Sequence, residues 1–312
     1  MGRLNSRPMD QLQTAADLIE LQACPICGSR TSSSFESLHD GGRVVSYLLC
    51  GSCAAVYQSP RMTVEALDSY YKREYVEQHQ RAGEVTEKEL RIQAGRARNL
   101  TRLLRSRVIS VDRHLDIGSS TGSLMVAVAE AYGSAGTGVE PAEIYRSYGL
   151  AKGLHVVPDL GELDGNPFDL ITMAHVLEHL PDPVQYLCEL RDRWLTSDGA
   201  ILIEVPNLFG HPSLELPHLF GFSSSTLRYV LGRAGYEVVR VKRHGSPRSQ
   251  LIGLYLTAIV RPRGAGGSAP SRKPDSKNVR IRRRFGMIWH RLATRIAPGW
   301  AWLPLPELEV DP

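Results

Sequence analysis

"HLDIGSSTG", residues 114–122, runs from an apolar stretch ending on Asp116 into a turn of glycines and hydroxyls, and "SLMVAVAEAYG" (123–133) continues at once as a helical pattern. Strand, glycine turn and helix in that order form the opening unit of an open α/β sheet. A ligand there approaches the carboxyl end of the strand, and the helix start offers N–H groups. Gly118 and Gly122 remove side chains where a ligand must come close, while Ser119, Ser120 and Thr121 add hydroxyls. The Gly-x-Gly-x-x-Gly of a dinucleotide site is absent, and Asp116 beside the turn would repel a pyrophosphate. The turn suits a ligand with an ammonium group. Glu140, twenty-four residues later at the end of "GTGVE", sits where an acid can take both hydroxyls of a ribose. An adenosyl amino acid meets both demands.

Outward from this unit, apolar runs alternate with helical patterns: "FDLITMA" (168–174), then 183–195; "GAILIEVP" (199–206), then 224–235; "YEVVRVKR" (236–243) and "LIGLYLTAIV" (251–260). This alternation predicts an α/β fold with a parallel sheet covered on both faces. "HGSPRS" (244–249) is too short for a parallel crossover, so an antiparallel pair should close the sheet. Residues 86–108 read as a helix leading into this domain, and 262–278, rich in Gly, Pro, Ser and charge, read as a flexible linker.

With 312 residues, 42% hydrophobic and 22% charged, the chain has the composition of a soluble globular protein. It shows neither a spanning apolar run nor a secretory signal, which predicts a cytoplasmic location. The net charge of +4 hides an imbalance, because residues 272–295 hold nine Lys or Arg against one acid, Asp275. The rest of the chain is net acidic, which argues against a specific nucleic-acid partner.

Cys24 and Cys27 in "CPICG", with Cys50 and Cys53 in "CGSC", form two Cys-x-x-Cys pairs that can converge on one tetrahedral centre. In a chain without an export signal, zinc is the expected occupant. Four protein ligands leave no open position, so the role is structural. Cys188, on an apolar helix face, reads as a core filler.

"LDIGSSTG", "GVEP", "FDLITMAHVLEHLPDP" and "LTSDGAILIEVPN" resemble, in order and spacing, the successive motifs of class I S-adenosylmethionine-dependent methyltransferases, over roughly 113–262. The resemblance implies a Rossmann-like, seven-stranded, mostly parallel sheet with a reversed last strand. It implies that Asp116, Gly118, Ser119 and Gly122 hold the methionine part, Glu140 the ribose and Asp159 the adenine amine, with His175 beside the cofactor. The zinc module ahead of this fold is similar to that of sugar methyltransferases from polysaccharide gene clusters. There a tyrosine-rich segment covers the site, and here it would be "LDSYYKREY" (67–75), which adds Tyr71 to the catalytic candidates. The serine-rich continuation of the related C-methyltransferases is replaced here by "VEQHQ".

A sugar hydroxyl needs a base to become a nucleophile. His218 in "ELPHLFGFSSSTL" is one candidate, and a loop histidine that packs the next helix is the other reading. His175, Glu178 and His179 in "HVLEHLPDP" share a face if they lie on a helical turn, and that face could hold a metal. Quinone-precursor O-methyltransferases of similar fold carry a metal-linked Glu-x-x-Glu-His there; alternatively the segment only shapes the loop beside the cofactor.

From Val279, "VRIRRRFGMIWHRLATRIAPGWAW" places Ile281, Phe285, Ile288, Leu292 and Ile296 on one helical stripe, with Trp289 at its edge. This predicts peripheral membrane or partner contact through 279–298, at the inner face of the membrane, because the preceding linker argues against integral packing; the alternative is a helix docked on the enzyme or on a second subunit with its arginines solvated. The expected organisation is an extension (1–20), a zinc module (21–60), a helical lid (61–112), the methyltransferase domain (113–262), a linker (263–278) and a basic amphipathic tail (279–312). The expected activity is methylation of a sugar, nucleotide-sugar or lipid-linked sugar. The alternatives are a metal-assisted O-methyltransferase of a small aromatic or lipid, and a non-catalytic binding protein of the same fold.

Overall fold

The computed structural model describes residues 17–40, 43–70, 85–212, 214–264 and 273–307. The N-terminal region contributes β1 (Leu18–Ile19), β2 (Ser32–Asp40), β3 (Arg43–Cys50), β4 (Val56–Gln58) and β5 (Arg61–Met62). The body contributes β6 (Arg113–Ile117), β7 (Ala135–Val139), β8 (His155–Val157), β9 (Phe168–Ala174) and β10 (Leu195–Pro206). It then adds β11 (Phe220–Gly221), β12 (Tyr236–His244) and β13 (Tyr255–Pro262).

Seven of these form one sheet in the order β12–β13–β10–β9–β6–β7–β8. The strands from β8 to β10 run parallel, and β13 is antiparallel to both β10 and β12. The expected antiparallel pair is present, but the last strand inserts between its neighbours and leaves the edge to β12. Burial explains the order. Residues 255–260 of β13 are all buried, whereas β12 mixes buried and exposed positions along "YEVVRVKRH" and suits an edge. Along β10, Leu202 packs with the cluster beneath Leu100, Leu104 and Val128, while Ile201 and Ile203 join the core on the opposite face. A continuous apolar run is what a strand buried on both sides needs.

The helices start where local chemistry caps them. Thr86 and Glu89 form a capping box for Glu87–Arg105, Asp182 caps Pro183–Glu189, and Ser223 caps Ser224–Arg233. The helix read over 183–195 ends early and closes in a π turn, Leu190–Trp194.

A second sheet, β11–β4–β3–β2, carries the cysteines. Its outer strand β11 comes from the body, pairing Phe220 with Tyr57 and Gly221 with Val56. The module and the loop after β10 therefore share backbone hydrogen bonds.

The C-terminal helix, Val279–Ile296, is docked on the body, the alternative that the sequence leaves open. Arg283, 5% exposed, pairs with Glu36 of β2 at 3.1 Å and donates to the carbonyls of Leu208 and His211. Gly286 lies directly on the carbonyl of Phe209, and His290 Nδ1 is 2.8 Å from the carbonyl of Gly210. Residues 273–278 do not hang free either, since Ser276 Oγ donates to the carbonyl of Gly51.

Candidate active site

The carboxyl ends of β6, β7 and β9 open into a cleft of about 1150 Å³. A site for one small molecule occupies roughly 300–1,000 Å³, so the cleft is at least as large as one such site.

One half is floored by the turn after β6. Gly118 (φ +68°) and Gly122 (φ +74°) hold left-handed backbone, and a Cβ on Gly118 would lie 2.6 Å from Val176 Cγ2. The helix Ser123–Tyr132 starts on Gly122 without a side-chain cap, so its first-turn amides are not taken by a capping side chain. Asp116 is 3% exposed and accepts a 2.6 Å bond from Thr172 Oγ1, which lies 2.8 Å from His114 Nε2. Burial pushes the Asp116 carboxyl up to about 7 against the pull of Thr172, and Glu140 adds to the rise. Burial also holds His114 down, to about 3, so it is the neutral donor at the start of this relay. A cation beside Asp116 would offset the cost of ionising it.

Glu140 accepts from the amides of Ser120 at 2.8 Å and Ala142 at 2.9 Å. Burial raises its pKa, and these two amide bonds oppose the rise. A carboxylate has about four lone-pair positions, so two remain for hydroxyls of a ligand. Asp159 stands exposed on the rim, its Oδ1 capping the turn Leu160–Glu162 through Gly161 N at 2.7 Å. Ser119 is buried with its Oγ over Gly138, where an added Cβ would meet it at 2.6 Å. Its buried hydroxyl has no hydrogen-bond partner among the described residues, and Ser119 lines the cleft.

The other half is walled by histidines. His175 (φ +60°) is turned between two buried acids, its Nδ1 3.2 Å from Glu178 Oε1 and its Nε2 3.6 Å from Glu204 Oε1. Burial and the Arg96 charge pull its pKa down, but the bonds to Glu178 and Glu204 outweigh them and raise it. The reading of His175 with Glu178 and His179 as one metal-binding face is corrected here. Leu177–His179 is a 3₁₀ turn, and the group whose ligand atoms lie within 4.8 Å of one another is Glu178, His179 and His218. His179 Nδ1 sits 2.9 Å from the carbonyl of Pro217, which can only accept, so Nε2 carries the lone pair. Burial holds His179 down, to about 4. Glu178 is 1% exposed, and its Oε1 is in ion-pair reach of both His175 Nδ1 at 3.2 Å and His179 Nε2 at 3.9 Å. His218 lies T-shaped on His179 at 4.6 Å, with its Nδ1 3.3 Å from Glu215 Oε1.

Glu204 and His211 escaped the sequence reading. Glu204 is wholly buried on β10 and meets Arg96 at 3.1 Å, His244 at 3.2 Å and Thr257 at 3.1 Å. A lone acid inside "AILIEVP" was the available signal, because such a charge must be paired. His211 lines the cleft beside Tyr255, and burial holds it down to about 3. Tyr71 lies outside the described residues. Tyr70, 2% exposed, lines the cleft.

Away from the cleft, Cys24 and Cys53 have their sulfurs 3.7 Å apart, and Cys27 and Cys50 theirs 3.6 Å apart. All four lie within 4.8 Å of one another. Tetrahedral zinc with Zn–S near 2.3 Å requires sulfurs roughly 3.8 Å apart, so the donor set and its spacing fit that ion. The two knuckles are built alike: Gly28 N bonds the carbonyl of Cys24, Ala54 N bonds that of Cys50, and both Gly28 and Ala54 have positive φ. A hydrogen bond from Cys53 holds the Cys24 thiol down, to about 6. Cys188 is half-buried against the main core.

A family model described as a methyltransferase domain matches residues 68–241. Among solved structures, the 1,6-didemethyltoxoflavin-N1-methyltransferase of Burkholderia thailandensis, with bound 1,6-didemethyltoxoflavin and S-adenosylhomocysteine, has 19% identity and a TM-score of 0.52. The match covers 73% of this chain and 99% of that one. The magnesium protoporphyrin IX methyltransferase of Synechocystis PCC 6803 with bound S-adenosylhomocysteine has 15% identity, a TM-score of 0.46 and coverage of 64% and 100%. The first of these likenesses shows a shared fold. No curated protein matches the chain.

Proposed function

Since the chain belongs to the methyltransferase-domain family, as an S-adenosylmethionine-dependent methyltransferase, we propose that it methylates a sugar, nucleotide-sugar or lipid-linked sugar. The donor would lie in the Asp116–Glu140 half of the cleft and the acceptor against the histidines. The donor supplies a methyl group on a sulfonium, open to in-line displacement. This chain's residues bind and align. Asp116 takes the ammonium, Glu140 the ribose hydroxyls and Asp159 the adenine edge. The observation that carries this assignment is the pair of buried carboxylates at the ends of adjacent parallel strands.

The acceptor class is supported by the polarity of the facing wall, where His179, His211, Glu215 and His218 offer hydrogen bonds to a polyhydroxyl ligand. Glu215, 3.3 Å from His218 Nδ1, orients the imidazole, and His218 would take the hydroxyl proton as the methyl is transferred. We assign zinc to Cys24, Cys27, Cys50 and Cys53 as a closed structural site.

Calorimetry with S-adenosylhomocysteine tests the donor half. Asp116→Asn should weaken binding by about 10- to 100-fold, the worth of a charge-assisted hydrogen bond. The free carboxyl titrates near 7 and the bound one lower, so affinity should be full above that pH and fall about tenfold per unit below it. That slope should vanish in Asp116→Asn. Unchanged affinity in the variant would reject the assignment. Turnover of nucleotide-sugars and lipid-linked glycans with labelled donor tests the acceptor.

A second reading, metal-assisted O-methylation, is favoured by the juxtaposition of Glu178, His179 and His218 at the acceptor wall. Two imidazoles and a carboxylate would hold a divalent transition ion able to polarise an acceptor oxygen. It requires one metal equivalent beyond the cysteine-bound zinc, lost in His218→Ala. Equal metal content in wild type and variant would reject it.

A further inference from the structure

The helix Val279–Ile296 turns its apolar stripe away from the enzyme. At about 100° per residue Ile281, Phe285, Ile288, Leu292 and Ile296 fall on one line. Their exposures are 54, 67, 41, 44 and 77%. The docked face is the opposite one, carrying Val279, Arg283, Gly286 and His290. Core-facing helices normally show the reverse arrangement. Trp289 and Trp300, 52 and 61% exposed, extend the apolar patch. Exposed arginines rim it: Arg284, Arg291 and Arg295 on one side, Arg282 on the other.

We propose that this face docks on an anionic lipid bilayer, the stripe entering the headgroup region and the arginines lying on lipid phosphates. An apolar face with a cationic rim and tryptophan at the margin is the composition of a helix that lies in an interface. No described helix is long and apolar enough to cross the membrane. Charge selects this occupant over a second copy. A twofold pairing of the stripe would set arginine rim against arginine rim, whereas an anionic surface neutralises it. The rest of the chain is net acidic, so attraction is confined to this edge and fixes the orientation.

The docking has a consequence for the cleft. Arg283 holds the carbonyls of Leu208 and His211, and His290 meets that of Gly210, so the helix rests on the loop that leads to Glu215 and His218. A bilayer under the helix thus lies beside the acceptor wall. On the methyltransferase reading, that position serves an acceptor presented by lipid.

The test sediments the full chain with vesicles of phosphatidylcholine alone, or with about a third phosphatidylglycerol, at about 0.1 and 0.5 M salt. Binding should require the anionic lipid and should weaken without vanishing at high salt. Phe285→Asp combined with Ile288→Asp should lower partitioning at least about tenfold, and Arg284→Gln, Arg291→Gln or Arg295→Gln about fivefold each. These positions are exposed, so melting temperature and S-adenosylhomocysteine affinity should stay at wild-type values. Wild type left in the supernatant, or variants that sediment equally well, would overturn the proposal. So would a dimer in sedimentation velocity that the apolar double variant dissolves, because a second copy would then cover the stripe. Vesicle binding without any affinity for S-adenosylhomocysteine would overturn the enzymatic reading and leave this one standing.

Discussion

With zinc on the four cysteines as proposed, Cys24→Ser and Cys50→Ser should each release the metal and unfold the N-terminal sheet. Apparent binding energies of structural zinc are about 10–16 kcal/mol, so losing one of four thiolates should cost ~5 kcal/mol or more. Metal analysis and thermal unfolding measure this directly. The damage should not stop at the module. Tyr47 of β3 donates its hydroxyl to the carbonyls of Glu215 and His218, and β4 pairs with β11, so the acceptor loop hangs on the same sheet. Donor affinity should change less than about twofold, because Asp116 and Glu140 touch none of these residues, while acceptor turnover should fall at least about tenfold. A metal-free protein with unchanged melting would refute the zinc assignment.

Glu204→Leu is expected to destabilise the protein by about 3–5 kcal/mol, the cost of leaving a buried cation without its partner. The wild-type network has a defined pH window. Glu178 is held down to about 2 by its histidine contacts despite burial, and Glu204 is lowered too, against its own burial, by His175, His244 and Arg96. Their stabilisation is present above the usual carboxylate range near 4.5 and is lost as pH falls through these depressed values. His175 is raised above its usual 6.5, so its share is full below 6.5 and is lost as pH rises through the raised value. Unfolding free energy should therefore peak between about 4.5 and 6.5 from this network, and Glu204→Leu should flatten both flanks. Urea titrations at several pH values measure it; an unaltered profile in the variant would show that the cluster contributes no net stability.

The half of the cleft lined by Asp116 and Glu140 was legible in the sequence because its signals are local. Asp116, Gly118 and Gly122 lie within seven residues, and the strand that ends before Glu140 repeats the same strand-to-turn pattern. The cysteine pairs were legible for the same reason, since each knuckle is a turn of five residues. The half walled by histidines was not. Glu204, Arg96 and His244 meet across three separate elements, and nothing near any one of them in the chain names the others. The grouping of Glu178 and His179 with His218 depends on a loop folding back, through the bond from Leu219 N to the Glu178 carbonyl. β11 was invisible because two residues carry no periodicity; only pairing with Val56 and Tyr57 makes them a strand. The C-terminal helix is legible in the sequence as amphipathic, but its docking is not decided there, because Arg283 is an ordinary surface arginine until Glu36 and two carbonyls surround it.

The origin of β11 also bears on how the chain is made. Val56 and Tyr57 emerge from the ribosome long before Phe220 and Gly221, and at 5–20 residues per second the interval is on the order of ten seconds. The hairpin of β2 and β3 can close as soon as it emerges, since its contacts are local. The free side of β4 cannot. Through most of synthesis it is an open strand edge, the kind of surface on which nascent chains pair wrongly with one another. Completion of the N-terminal sheet is thus a late event, timed by translation of the segment that follows β10.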